Sequence, residues 1–205
     1  MSPFLRRYSG PLVLFLSGAA LIAVAPFVVR DRSDTTPPST PPPDYSKLYG
    51  AAHTMPGIRR PPVVSAAASG LTESDEVIGV VVHGKARAYS VQAMSGPPQS
   101  HLINDLVGAT PVTVTHNPLG RVFRVFTGPG SEPLGVDLGM SSGGEMILDI
   151  GGGRQFLQRS ATPVNSATSG QFPFDSVAHE VTVWKKWHDA HPDTDAVVSV
   201  TPPKS

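Results

Sequence analysis

Residues 76–127 read EVIGVVVHGKARAYSVQAMSGPPQSHLINDLVGATPVTVTHNPLGRVFRVFT, and the fold class is decided here. Val77, Ile78, Val80, Val81 and Val82 form a β-branched run that ends at His83-Gly84, after which Ala86-Arg87-Ala88-Tyr89 alternates small and large side chains. β-branched residues leading into a Gly-containing turn and out into an alternating segment predict a hairpin. Between Thr110 and His116, valine and threonine alternate with the period of two that a strand shows. Arg121 to Thr127 is a third strand, and Asn117-Pro118-Leu119-Gly120 is a turn signal, so the two strands around it are expected to pair antiparallel.

Toward the carboxy terminus, Gly128 to Gly153 is glycine-rich and Met146 to Ile150 is the one strand expected within it. The Gly151-Gly152-Gly153 run lacks the lysine and hydroxyl of a phosphate-binding loop, and no helical pattern follows it. Thr182 to His191 places Trp184, Trp187, His188 and His191 at helical spacing, with Thr182 read as the cap and Pro192 as the stop. The two indoles are read as packing that helix on a sheet, with Lys185 and Lys186 on its solvated face. Asp195 to Val200 reads as a closing strand, while Ser46 to Arg60 is turn-rich and Pro61-Pro62 bars a helix before Val63. No βαβ alternation supports a parallel nucleotide-binding sheet. The expected fold is therefore α+β and β-rich, a single compact domain over residues 46–205 with mostly antiparallel strands and one C-terminal helix.

Ahead of this domain, Pro11 to Val29, PLVLFLSGAALIAVAPFVV, is free of charge, and Arg6, Arg7, Arg30, Asp31 and Arg32 flank it. A helix over such a run is about 28 Å long, close to the hydrocarbon thickness of a bilayer. A cleaved signal peptide is the competing reading, since Ala23-Val24-Ala25 has the small-x-small form, but Pro26 would then sit at the first mature position. We read residues 11–29 as an uncleaved transmembrane signal anchor, contacting the membrane, with residues 1–10 cytoplasmic. Each flank carries two arginines, and the α-amino group together with Asp31 and Asp34 tips the balance toward an N-terminus inside. Residues 30–45 form a Pro-rich linker whose TTPPSTPPPD segment favours an extended spacer of about 30 Å. The expected location is a bacterial membrane, crossed once, with the C-terminal domain outside the cytoplasm.

Composition removes several function classes. Sixteen Lys and Arg balance sixteen Asp and Glu, so no net field favours nucleic acid, and no nucleic-acid partner is expected. The chain has no cysteine, which rules out disulfides, thiolate nucleophiles, iron–sulfur clusters and cysteine zinc sites. No G-x-S-x-G elbow occurs, and Ser100 beside His101 cannot orient base to nucleophile, so a Ser100–His101–Asp105 triad is not supported.

Three motifs carry a family resemblance. Gly79-Val80 through Gly84-Lys85-Ala86-Arg87-Ala88-Tyr89, then His101-Leu102-Ile103-Asn104-Asp105, then Val114-Thr115-His116-Asn117-Pro118-Leu119-Gly120-Arg121 resemble the G-x-A-R-A-Y, H-E-x-x-N-D and V-T-Y-C-P-L-C-G segments of the bacterial domain of unknown function 3179 family. Trp184-x-x-Trp187 followed by His191-Pro192 and a strand resembles that family's carboxy-terminal end. The chain is similar to a degenerate member, because both cysteines of the C-P-L-C segment are replaced, by Asn117 and Gly120. The replacement keeps the turn and removes the sulfur on which the metal, redox or thiol chemistry implied by the family segment would rest.

The resemblance makes Arg87, Tyr89, His101, Asn104, Asp105, His116 and Asn117 the candidate ligand-binding residues. Arg87 and Tyr89 share one strand face, where a guanidinium and a phenol can hold an anionic or carbonyl ligand or build a buried network with Asp105. If a loop at 101–105 lies beside the turn at 116–120, His101, Asp105 and His116 can converge as a zinc, copper or iron site. Asn104 and Asp105 also read as turn-setting residues before Gly108. No catalytic residue or cofactor is assigned. The expectation is a membrane-anchored, extracytoplasmic, non-catalytic binding or structural module with a protein or small-ligand partner. The alternative is a degenerate metal-binding protein or metal-dependent enzyme centred on His101, Asp105 and His116.

Overall fold

The computed structural model describes residues 54–142, 144–165, 168 and 170–200. The apolar run 11–29, the linker 30–45 and the orientation drawn from them lie outside the described residues. Among the described residues no helix is long and apolar enough to cross a membrane.

β3 (Glu76–Val82) and β4 (Lys85–Ser90) form the expected hairpin, with Val80 opposite Arg87 and Ile78 opposite Tyr89. Both turn residues adopt positive φ, His83 at 47° and Gly84 at 75°, as a two-residue turn matched to the right-handed twist of the strands requires. This hairpin is the centre of a first sheet ordered β12–β3–β4–β13–β2, where β2 is Val64–Ser65, β12 is His179–Val183 and β13 is Asp195–Val197. β13 runs parallel to β4 and sets Asp195 opposite Arg87.

A second sheet has the order β1–β5–β6–β7–β11, with β1 Ile58–Arg59, β5 Leu102–Val107, β6 Thr110–Asn117, β7 Val122–Thr127 and β11 Asp175–Ser176. The β6–β7 pair is the antiparallel hairpin expected from the sequence. A third sheet, β8 (Asp137–Ser142), β9 (Glu145–Asp149) and β10 (Gln155–Leu157), is antiparallel throughout. The sheets are mixed overall, since β1–β5 and β4–β13 are parallel pairs.

Alternation along the strands sorts the side chains into layers. Ile78, Val80 and Tyr89 of the first sheet pack against Ile103, Val112, Val114 and Val125 of the second. On the second sheet's other face, Leu102 and Phe126 meet Leu138, Met146 and Leu148 of the third. Val77, Ala88 and Ala196 turn away from the second sheet and receive Trp184 and Trp187 from α1 (Trp184–Ala190), the one α-helix among the described residues. Full burial of each such apolar side chain contributes about 1.5–3 kcal/mol relative to exposure. The helix side chains press close at Gly79, where a Cβ would lie 2.2 Å from the Trp187 ring.

Three local expectations need correction. Residues 101–105 are not a loop: His101 ends a 3₁₀ turn (Pro98–His101) and Leu102–Val107 is the buried strand β5. Asn104 and Asp105 find long-range partners there, and these outcompete the local turn that Asx side chains otherwise favour. The helix begins at Trp184 rather than Thr182, with Val183 at the cap position and no side-chain cap bond, because β12 holds Thr182 and Val183 in register with Val77 and Glu76. The glycine-rich stretch holds β8 as well as the expected β9; Gly139 packs with its missing Cβ against Ile147, where any larger residue would collide at 2.6 Å.

Candidate functional site

A buried polar network in the core is built on β4, β5 and β13. Arg87 Nε and Nη2 donate to the two carboxylate oxygens of Asp195 at 2.6 and 2.7 Å. Its Nη1 donates to Asp105 Oδ2 at 2.7 Å and to the Leu106 carbonyl at 2.9 Å. The Tyr89 hydroxyl donates to the same Asp105 Oδ2 at 3.0 Å, and Asp105 Oδ1 accepts the Leu106 N–H. Period-two alternation put Arg87 and Tyr89 on one face, as read from the sequence, and the facing sheet supplies the carboxylate. Burial by itself pulls the Arg87 pKa down, but the hydrogen bonds with Asp195 and the charge of Asp105 outweigh it, so the guanidinium is held charged beyond its ordinary range. Burial, reinforced by the Asp105 charge, pushes the Tyr89 phenol well above its ordinary value.

Arg87 also forms part of the wall of a cleft of about 580 Å³, shared with Lys85, Val107, His191, Asp193 and Asp195. The mouth offers donors and acceptors of both charge signs. Sequence reasoning missed Asp195, which it took only as the first residue of a strand, because the arginine it pairs with is 108 residues away in the chain.

The histidines occupy a different place. His116 on β6 is 2% exposed, stacks on Phe123 with centroids 4.6 Å apart, and has Nδ1 3.5 Å from Ser95 Oγ. His101 Nε2 donates to the Gly96 carbonyl at 3.2 Å. Both imidazoles are held below their ordinary pKa, His101 by burial, and His116 by burial and then by the neighbouring His101. The fold thus brings His101 and His116 near each other, while the Asp105 carboxylate is occupied by Arg87 and Tyr89. Among the described residues, no three His, Asp or Glu gather in a geometry able to hold a metal.

Asn104 and Asn117 are braces. Asn104 Nδ2 donates to the Val136 carbonyl and its Oδ1 accepts from Thr113 Oγ1, both at 2.7 Å, which pins the segment before β8 to the second sheet. Asn117 Oδ1 accepts the N–H groups of Leu119 and Gly120 at 3.1 and 3.3 Å, and its Nδ2 donates to the Gly144 carbonyl at 2.6 Å. The next turn residue, Arg121, sits at φ 47°, in the left-handed region, where the resembling segment has glycine. Gln158, which the sequence did not single out, is fully buried and donates to Thr115 Oγ1 and the Val122 carbonyl.

With this geometry in place, the family described as Protein of unknown function (DUF3179) matches residues 52–204. The chain belongs to that family. In this DUF3179 domain the residues that carry the three motifs fall into two classes. Arg87, Tyr89, Asn104, Asp105 and Asn117 tie sheets and turns together, and the two histidines line the 3₁₀ turns that lead into β5. No curated protein and no solved structure matches the chain.

Proposed function

We propose that the protein is a membrane-anchored, extracytoplasmic DUF3179 domain that binds a partner or small polar ligand and carries out no reaction itself, with the cleft beside Arg87 as its receptor surface. The observation that carries this reading is the fixing of Arg87. A guanidinium gripped bidentately by Asp195 and braced from behind by Asp105 is a preorganised wall for a cleft, and little entropy remains to be lost when a ligand meets it. The mix of Lys85, His191, Asp193 and Asp195 around it suits a ligand bearing both donors and acceptors. The anchor reading rests on the uncharged run 11–29 and the proline-rich spacer.

The proximity of His101 and His116 favours a second reading, a metal-binding domain or degenerate metal enzyme in which Asp105 would have to leave Arg87 and Tyr89. Native mass spectrometry of the full chain extracted from its membrane, paired with elemental analysis, separates the two. A bound organic mass that disappears in Lys85→Glu/Asp193→Lys at unchanged thermal midpoint supports the cleft. A near-stoichiometric metal that disappears in His101→Ala or His116→Ala, with no mass at the cleft, overturns it.

A further inference from the structure

A second cleft, sharing no residue with the first, opens on β7 and β11, with a volume of about 340 Å³. Phe126, Phe172, Phe174 and Pro163 supply an apolar lining, and Arg124 is the one charged residue among the described residues of the lining. Phe172 is the hub of the ring wall, edge-on to Phe126 at 4.8 Å, to Phe156 at 5.2 Å and to Phe174 at 5.5 Å. Phe174 is seated by Gly128, where an added Cβ would lie 2.7 Å from the ring.

Arg124 is treated unlike most arginines of this domain. Arg59, Arg60, Arg87, Arg121 and Arg159 each have a carboxylate within salt-bridge distance. Among the described residues no acid pairs with Arg124, and its buried Nε has no hydrogen-bond partner. Its guanidinium lies 5.5 Å from the Phe126 ring centroid, and Nη2 reaches Ser176 Oγ only at 3.4 Å. Among the described residues, no Asp or Glu lines the cleft. Partial burial of an arginine without a counter-charge costs free energy, which an anionic ligand would offset. Its terminal nitrogens form a planar fork suited to two carboxylate oxygens, and the long Ser176 contact is weak enough to be displaced.

We infer that this cleft is a binding site for a small organic carboxylate with an aromatic or other apolar body, the carboxylate on the Arg124 fork and the body against Phe172 and Phe174. The size suits such a molecule, the edge-to-face rings suit an inserted ring, and the cation–π contact with Phe126 holds the guanidinium plane in place. The site stands independently of the cleft beside Arg87, and either can fail without the other.

The test uses the full chain in detergent and 3-phenylpropanoate as probe, with binding followed by calorimetry and by ligand-observed NMR. The carboxylate is expected to bind, 3-phenylpropanamide to bind at least about tenfold more weakly, and acetate not to compete at equal concentration, because a site built around a charged fork rejects the analogue that cannot satisfy it. Arg124→Gln is expected to erase the preference for carboxylate over amide, and Arg124→Lys to keep part of it. Equal affinity for acid and amide in the wild type, or an acid affinity unchanged in folded Arg124→Gln, overturns the site. So does absence of binding at millimolar probe. The acid-against-amide comparison needs no variant and decides the question even if Arg124→Gln does not fold.

Discussion

Arg87 on β4 and Asp105 on β5 belong to different sheets, and the 2.7 Å contact between them is a polar bolt through an otherwise apolar interface. Both side chains are largely removed from water, at 10% and 5% exposure, so neither can be left alone without an uncompensated buried charge. Asp105→Ala is therefore expected to cost about 3–5 kcal/mol, the range for breaking a buried pair. Asp195, with 36% of its side chain exposed, should cost less when changed to Ala, because solvent screens the charge that is lost. Urea unfolding of the three single variants Arg87→Met, Asp105→Ala and Asp195→Ala checks the order; an Asp195→Ala variant less stable than Asp105→Ala would contradict it.

The two histidines give the domain a pH dependence whose sign follows from their environment. Both folded-state values lie below the ordinary imidazole value, so between the two the unfolded chain binds more protons than the native one. Their contribution is complete above about pH 6.5 and is lost as pH falls through the lowered folded-state values. Glu76, which favours the charged form of His116, moderates the lowering without reversing it, and Arg121, which opposes that form, reinforces it. Thermal midpoints recorded from about pH 8 to about pH 5 should fall on acidification, and His116→Gln should flatten that slope. A midpoint that rises on acidification would mean that the imidazoles are stabilised as cations instead.

The close approach of Gly79 to Trp187 fixes how the helix sits on the first sheet. A methyl group at 79 meets the indole at 2.2 Å, and the indole cannot simply rotate away because Nε1 donates to Thr194 Oγ1 at 3.0 Å. Gly79→Ala is expected to lose about 1–3 kcal/mol by overpacking, and Trp187→Ala about 3–5 kcal/mol by cavity formation. In the double variant the methyl occupies part of the vacated space, so its loss should be smaller than the sum of the singles. Strict additivity in denaturant unfolding would show that the two positions do not meet.

How much of this was legible in the sequence depended on how far away each residue's partner lies. Val77 to Tyr89 and Thr110 to Thr127 announce hairpins because their pairing is local and their turns, His83-Gly84 and Asn117 to Gly120, have composition to match. Trp184 and Trp187 announce a buried helix face for the same reason. Asn104 misleads, because the Val136 carbonyl that satisfies it is distant in the chain, and the turn reading of Asp105 fails likewise, whereas its network with Arg87 and Tyr89 was open to the strand alternation. Asp195, Gln158 and Arg124 were invisible as site residues, because the groups that set their roles lie on neighbouring strands or another sheet and leave no mark in the adjacent sequence. Gly139 and the strand β8 were hidden inside a glycine-rich stretch, where a close strand–strand contact looks the same as a loop.

The proposed anchor makes a cell-level prediction. A retained helix at 11–29 should leave the protein in the membrane fraction after alkaline carbonate extraction, at a size that includes the N-terminus, with the domain open to protease added outside spheroplasts. A soluble product that begins after Ala25 would establish the cleaved signal peptide in its place, and protection from external protease would reverse the orientation.

Asn117 stands where the resembling segment has its first cysteine, and its bonds show what the asparagine now does. Its amide oxygen closes the β6–β7 turn on the Leu119 and Gly120 N–H groups, and its amide nitrogen holds the Gly144 carbonyl of the neighbouring β8–β9 turn. Asn117→Ala removes all three bonds, and at about 0.5–1.5 kcal/mol for each hydrogen bond the loss should reach about 1.5–4.5 kcal/mol. Asn117→Asp keeps the acceptor and loses the donor, so it should retain the β6–β7 turn while releasing the contact with Gly144. Amide hydrogen exchange resolves the two cases. In Asn117→Asp protection at Leu119 and Gly120 should persist, whereas in Asn117→Ala it should fall; equal loss in both would mean that the turn depends on the link to Gly144 rather than on its own cap.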